Sequence, residues 1–187
     1  MEHHLADSAD PALAEIIKLG DKNIERVGGM LVGEVNWVLS KNRPGRAADM
    51  LHLRNFAPPK PVEGQPTVTA IKRTSLRVRN PANAPDEADL LALNLINARM
   101  NDGEAPPGQL VQRIEQAGQP TEWRVYRPIG VSSRCLICHG DVEQIPIDVQ
   151  AVLELRYPQD RATGYTSNQW RGVIRISLEK PAPPTAK

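Results

Sequence analysis

The chain is poor in cysteine and in aromatic residues. Its 187 residues include two cysteines, one phenylalanine, three tryptophans and three tyrosines. No run of eighteen apolar residues occurs, so the sequence predicts no membrane-spanning helix. The formal net charge is only +1, which gives no reason to expect binding to nucleic acid or to an anionic membrane surface.

What is present is typical of a globular protein of one domain. Apolar residues make up 40% of the chain and charged residues 24%, and seventeen prolines with thirteen glycines predict many turns and long loops. The amino-terminal residues Met1-Glu2-His3-His4 do not resemble the basic start of a signal peptide. We therefore expect this sequence to be a mature or truncated form from which the export segment is missing.

Both cysteines lie in Cys135-Leu136-Ile137-Cys138-His139, which has the C-x-x-C-H spacing of c-type haem attachment. Two thiols about one turn apart can add to the two vinyl groups of one porphyrin edge, and the adjacent histidine can bind the iron. A redox C-x-x-C and half of a zinc site are the alternatives. The first is expected near a βαβ pattern and the second needs another ligand pair, and neither is evident.

The motif predicts one covalently attached haem c, held by Cys135 and Cys138, with His139 as the proximal iron ligand. A buried porphyrin would also supply the flat apolar bulk that the few aromatic residues do not. Because covalent haem attachment normally takes place outside the cytoplasm, we expect a periplasmic or otherwise extracytoplasmic protein.

Hydrophobic spacing predicts an α+β fold with an antiparallel sheet as its scaffold. Asp10-Pro11 resembles a helix start, and apolar residues from Leu13 to Val38 recur at three- and four-residue spacing. The other expected elements are helices at 46–56, 86–99 and 147–155, strands at 67–73, 75–79 and 173–178, and a hairpin of 110–116 with 121–127. We expect residues 1–60 to form a helical segment packed on the same domain, 61–180 the main domain, and 181–187 a disordered tail.

Four segments resemble a family of c-type haem proteins with a PAS-like α+β fold, grouped by a domain of unknown function. The segments are Arg73-Thr74-Ser75-Leu76-Arg77-Val78-Arg79-Asn80-Pro81-Ala82-Asn83-Ala84-Pro85-Asp86, Arg127-Pro128-Ile129, Cys135 to Gly140, and Tyr157-Pro158-Gln159-Asp160-Arg161-Ala162-Thr163-Gly164-Tyr165 continuing to Trp170-Arg171-Gly172. The resemblance implies a PAS-like antiparallel sheet with flanking helices and a long amino-terminal helix. It also implies redox sensing or electron transfer.

The resemblance bears on the second iron ligand as well. The family includes a cyanobacterial cytochrome with a cysteine axial ligand, and that ligand would fall near Leu53, where this chain has no cysteine. The neighbouring His52 is the expected replacement. Met50 is the main rival, Met30 and Met100 are weaker ones, and an open sixth position remains an alternative. His3 and His4 are poor candidates because we expect the amino terminus to be frayed.

Arginines are the expected partners of the haem propionates, because a planar guanidinium meets carboxylate oxygens two at a time. Arg73, Arg77 and Arg79 have a period of two, which in a strand would put all three on one face. A solvated charged edge is the equally weighted alternative. Thr74, Ser75, Arg127 and Arg134 are further candidates.

Together these patterns predict a soluble monohaem c-type cytochrome, not an enzyme, that transfers electrons or senses redox state with a redox partner protein. The alternative is a haem-based gas or redox sensor domain that acts on a signalling partner. A haem enzyme would need an open iron site with a distal base. The long first helix could also support a homodimer, since Gly29 and Gly33 would permit close helix contact.

Overall fold

The computed structural model describes residues 2–51 and 56–180. Within these residues five antiparallel strands form one sheet in the order β1-β3-β4-β5-β2. The strands are β1 (Glu2–Ala6), β2 (Thr67–Thr74), β3 (Leu110–Glu115), β4 (Glu122–Gly130) and β5 (Trp170–Glu179). The helices are α1 (Ala14–Lys41), α2 (Pro44–Met50), α3 (Glu87–Asn101), α4 (Leu136–His139) and α5 (Ile147–Arg156). The predicted α+β class with a long amino-terminal helix is therefore confirmed.

Helix α1 begins as its sequence predicts. The Asp10 side chain accepts a hydrogen bond from the Ala12 N–H at 2.9 Å, and Pro11 opens a 3-10 turn that leads into the helix. No helix in the described part of the chain combines the length and hydrophobicity that crossing a membrane requires.

The sheet separates two hydrophobic layers because successive side chains of a strand point to opposite faces. On one face Ile16, Ile24 and Val27 of α1 pack against Val125 of β4 and Ile176 of β5. Gly20 brings the helix close, since a Cβ at this position would lie 2.6 Å from Val125. On the other face α3 packs on the sheet through the cluster Ala92, Leu93, Ile96, Leu110, Tyr126 and Val173.

The face beneath α3 also holds a network of charged side chains. Asp89 is fully buried, and it lies 3.0 Å from Lys72 and 3.2 Å from Arg175. Asp86 caps α3 and accepts a 2.7 Å hydrogen bond from Arg124. Because each buried charge lies beside an opposite charge, the network offsets the free-energy cost of burying these groups. It also connects α3 to β2, β4 and β5.

Helix α2 is attached mainly to α5. Gly45 N–H donates to Asp148 at 2.8 Å, and Arg156 donates to Asp49 at 2.7 Å. Ala48 packs in a small cluster with Val149 and Leu153. The position of α2 therefore depends on α5, which lies about one hundred residues later in the chain.

Several predicted boundaries were wrong. Residues 75–79 do not form a strand, since β2 ends at Thr74 and the chain then turns. The second helix starts two residues before its expected position and ends at Met50. Residues 2–6 are not frayed: they pair with β3 as an edge strand, with His4 opposite Arg113. Residues 181–187, the expected disordered tail, lie outside the described residues.

Candidate functional site

A cavity of about 450 Å³ opens between α1, α2 and the sheet face that carries α1. Its size lies in the usual range of small-molecule and cofactor sites. The lining is mainly apolar along the helices and polar near the ends of β2 and β5. The apolar residues on its helical side are Gly28, Leu31, Val32, Val35, Leu39, Ala47, Ala48 and Leu51, and Glu34 and Asn36 of α1 line it as well. Cys135, Cys138 and His139 also line it, together with Arg73, Arg79, Arg134 and Arg171.

The short helix α4 and the turn before it carry the C-x-x-C-H motif. Hydrogen bonds to the segment 160–165 hold its carboxyl end. Gly164 N–H donates to Gly140 O at 2.6 Å, and Tyr165 N–H donates to His139 O at 2.9 Å. Residues about twenty-five positions after the motif therefore hold it in place. The four-residue helix α4 is too short to be stable without such contacts.

The imidazole of His139 has a defined orientation. Nδ1 lies 2.7 Å from the Ala162 carbonyl oxygen, which can only accept, so Nδ1 carries the proton and Nε2 has the lone pair. Burial and the nearby charges of Arg79 and Arg171 hold the pKa of His139 well below its ordinary value. The ring is therefore neutral at pH 7, which is the form that binds a metal ion.

The two cysteines are free thiols in different surroundings. Cys135 Sγ lies 3.2 Å from the Ser132 hydroxyl and accepts a 3.4 Å contact from the Ser132 N–H. Burial raises the pKa of the Cys138 thiol, although Arg79 opposes that effect. The Cys138 thiol is therefore held more firmly in its protonated form than a free cysteine.

Arg73 and Arg171 bring positive charge to the cavity. Burial lowers the pKa of both guanidinium groups, and the charge of Arg171 lowers that of Arg73 further. Arg171 donates to the Ser75 hydroxyl at 2.6 Å. Two partly buried cations in one cavity are stabilised by a bound anion.

The three predicted arginines do not act as one strand face. Arg73 is in β2, whereas Arg77 and Arg79 follow the end of the strand. Arg79 lines the cavity and forms a 2.9 Å ion pair with Asp160. Arg77 is absent from the cavity lining: it donates to the carbonyls of Arg161 and Thr163 and lies over the Tyr165 ring at 4.2 Å.

Sequence reasoning missed Arg171 as a site residue. In the sequence, the segment Trp170-Arg171-Gly172 is distinctive only in its resemblance to a family. Its position depends on β5, where Gly172 has a φ of 156° and a Cβ would lie 2.3 Å from the Thr74 carbonyl oxygen. Glycine here allows the end of β2 to approach β5 closely beside the cavity.

The methionines considered as iron ligands lie away from the cavity lining. Met50 is 40% exposed, and Met30 is 52% exposed and contacts Arg26. Met100 packs against the cluster beneath α3, on the other face of the sheet. His52 lies outside the described residues, while its neighbour Leu51 lines the cavity.

Comparison with known proteins leads to one family. Among proteins of curated function none matches this chain. The crystal structure of the cyanobacterial heme-protein Tll0287 is similar, with 26% sequence identity and a TM-score of 0.44. The aligned region covers 63% of this chain and 63% of that protein. The profile of the Tll0287-like family matches residues 59–179, which include β2 to β5 and the C-x-x-C-H motif. This chain therefore belongs to the Tll0287-like family.

Proposed function

We propose that this chain is a monohaem c-type protein that exchanges single electrons with a partner protein. The observation that carries the proposal is the convergence of Cys135, Cys138 and His139 on one cavity of cofactor size. Family membership supports it, since the similar structure in the family is described as a heme-protein.

The residues present fit a haem group in three respects. Both thiols are free for thioether bonds, and His139 is held as a neutral imidazole with a lone pair on Nε2. Arg73 and Arg171 supply positive charge for two carboxylates. A bound haem c would supply a one-electron ferric–ferrous couple.

In this proposal each residue of the site has one role. Cys135 and Cys138 hold the group covalently, and His139 binds the iron. Arg73 and Arg171 bind the propionates, and the apolar side chains of α1 and α2 exclude water. Arg79 is assigned to the support of the motif, because it donates to the Cys138 carbonyl at 2.5 Å. Arg77, which is absent from the cavity lining, supports the segment that holds His139.

Extraction of the purified protein with acidified acetone tests the covalent bond. We expect the haem to remain with the polypeptide, and intact mass spectrometry to show one added haem. The double variant Cys135→Ser with Cys138→Ser should release any bound haem into the organic phase. Complete extraction of haem from the unaltered protein would reject the proposal.

A haem-based gas or redox sensor is the second candidate. Among the described residues that line the cavity, His139 is the single histidine and no methionine is present. If His52 does not bind the iron, a bound haem would have no second histidine or methionine ligand from these residues, and its iron would be open to a small molecule. Rapid binding of carbon monoxide to the reduced protein would favour the sensor, and lack of binding would favour electron transfer.

Three further expectations stay proposals. We propose a location outside the cytoplasm, because thioether attachment of haem normally takes place there, and a role without catalysis. We also propose that α1 can pair with a second copy, because a Cβ at Gly29 or Gly33 would meet nothing within 4 Å. Sedimentation of the holoprotein over a range of concentrations tests the homodimer.

A further inference from the structure

The segment after α5 forms a support beneath the motif. In that segment the Ala162 carbonyl accepts the Nδ1–H of His139 at 2.7 Å. The Ala162 N–H donates to Asp160 Oδ1 at 2.8 Å, which fixes the peptide on both sides of this residue. Ala162 is fully buried, so water does not compete for its carbonyl. The strength of the hydrogen bond from His139 to this carbonyl therefore depends on neighbouring protein groups and not on water.

Arg79 is the group that connects these elements. Its Nε donates to Asp160 Oδ2 at 2.9 Å, and its Nη2 donates to the Cys138 carbonyl at 2.5 Å. The same Nη2 donates to the Ala162 carbonyl at 3.3 Å. The side chains of Arg79 and Asp160 are only 13% and 11% exposed, so solvent screens the pair weakly.

The Ala162 carbonyl thus accepts from both His139 and a guanidinium. A charged donor draws electron density from the oxygen and makes it a weaker acceptor for the imidazole N–H. The hydrogen bond that a metal-bound histidine donates raises its basicity as a ligand, and a more basic ligand favours ferric iron. Sharing the carbonyl therefore moves the balance toward the ferrous state.

We propose that Arg79 is a positioning residue that sets the reduction potential by sharing the Ala162 carbonyl with His139. This inference rests on the proposed function, because it requires His139 to be an iron ligand. It adds to that function a means by which the protein raises its own potential through a residue that need not touch the haem.

Two substitutions distinguish the effect of sharing the Ala162 carbonyl from the effect of the positive charge of Arg79. Arg79→Lys keeps the positive charge but loses the planar fork that reaches Asp160, Cys138 and Ala162 together. Arg79→Gln loses both. In the holoprotein we expect both variants to lower the potential. In Arg79→Gln the ratio of ferric to ferrous protein at a fixed solution potential should rise about tenfold, or about 59 mV for one electron.

The ring protons of His139 provide the second readout. Their hyperfine-shifted magnetic resonance signals in the ferric protein should move in the same direction in both variants, because the Nδ1–H bond strengthens in each. Arg161→Gln is the matched control: it removes an exposed guanidinium next to Ala162, and the His139 signals should not move. If Arg79→Lys has the potential and ring signals of the unaltered protein, charge alone acts and the proposal is wrong.

If the Arg79 variants do not take up haem, Asp160→Asn provides a second test of the proposal. Asparagine can still accept from the Ala162 N–H but no longer pairs with Arg79. The His139 signals should move as for Arg79→Lys. They are the readout for this variant, because the loss of a negative charge raises the potential while the loss of the shared carbonyl lowers it. Unmoved signals would overturn the proposal. If the protein keeps covalent haem with His139 as the iron ligand, but its potential and its His139 signals do not respond to the changes at Arg79 and Asp160, only this inference is rejected. Full haem extraction would reject the proposed function itself.

Discussion

The Gly45 N–H donates a 2.8 Å hydrogen bond to Asp148 Oδ2, and a Cβ at position 45 would lie 2.6 Å from the same oxygen. The contact joins α2 to α5 across 103 residues of sequence. It fixes the helix whose residues Ala47 and Ala48 line the cavity. The close approach of the two helices therefore depends on the absence of a side chain at Gly45.

Gly45→Ala should destabilise the protein. The added methyl group must displace Asp148 or separate α2 from α5, and overpacking of this kind costs about 1–3 kcal/mol in the free energy of unfolding. Chemical denaturation of both proteins measures it. Gly108→Ala is the control, because nothing lies within 4 Å of its Cβ position, and replacing a glycine there should stabilise the protein by about 0.4–1 kcal/mol. Equal stability of Gly45→Ala and the unaltered protein would contradict the packing argument.

His139→Ala should abolish the normal axial ligation even if both thioethers form. The Ala162 carbonyl oxygen accepts from this imidazole, which lines the cavity, and if the imidazole binds the iron, alanine removes that ligand. Visible absorption and electron paramagnetic resonance measure the change. His4→Ala, in the edge strand β1, should leave both spectra as they are. Normal spectra in His139→Ala would mean that another residue is the proximal ligand.

His52→Ala tests the second ligand predicted from sequence. If His52 binds the iron, its removal should turn the ferric protein from low spin to high spin and allow rapid carbon monoxide binding in the ferrous form. Met50→Leu is the matched control from the preceding turn, and it should change neither property because Met50 is 40% exposed. A low-spin His52→Ala protein that stays inert to carbon monoxide would exclude His52 as the ligand.

Asp86→Asn should reduce stability in a pH-dependent way. Burial alone would raise the pKa of Asp86, but hydrogen bonds and charge from Arg124 outweigh it and lower the pKa to about 2. A depressed pKa stabilises the folded state above the unfolded value of about 3.9, and this contribution is lost as the pH falls through about 2. The stability difference between the two proteins should therefore be largest above pH 4 and vanish near pH 2.

Asparagine is also a good helix N-cap, so this substitution isolates the charge from the capping hydrogen bond. Urea denaturation at several pH values measures the difference. Glu87→Gln is the matched control, because it removes one negative charge from an exposed residue in the same first turn of α3. A constant difference between Asp86→Asn and the unaltered protein from pH 2 to pH 6 would contradict the assignment.

Local patterns predicted much of the secondary structure. The helix start at Asp10-Pro11, the helix capped by Asp86 and the hairpin of β3 with β4 all depend on neighbouring residues, and all were confirmed. The edge strand β1 was missed because its pairing with β3 joins residues more than one hundred positions apart. Residues 75–79 have strand-like composition, but the chain turns after Thr74.

The candidate site, too, was predicted in part from local sequence and determined in part by the tertiary structure. Cys135, Cys138 and His139 follow from spacing alone, because thioether attachment needs thiols one turn apart with the histidine adjacent. Their role, like that of His52, stays a prediction. The tertiary structure decided which arginines meet the motif, since Arg79 reaches Cys138 and Arg171 reaches Ser75 only after distant segments pack together. Periodicity describes one strand or helix at a time, whereas a cavity is formed by side chains from several.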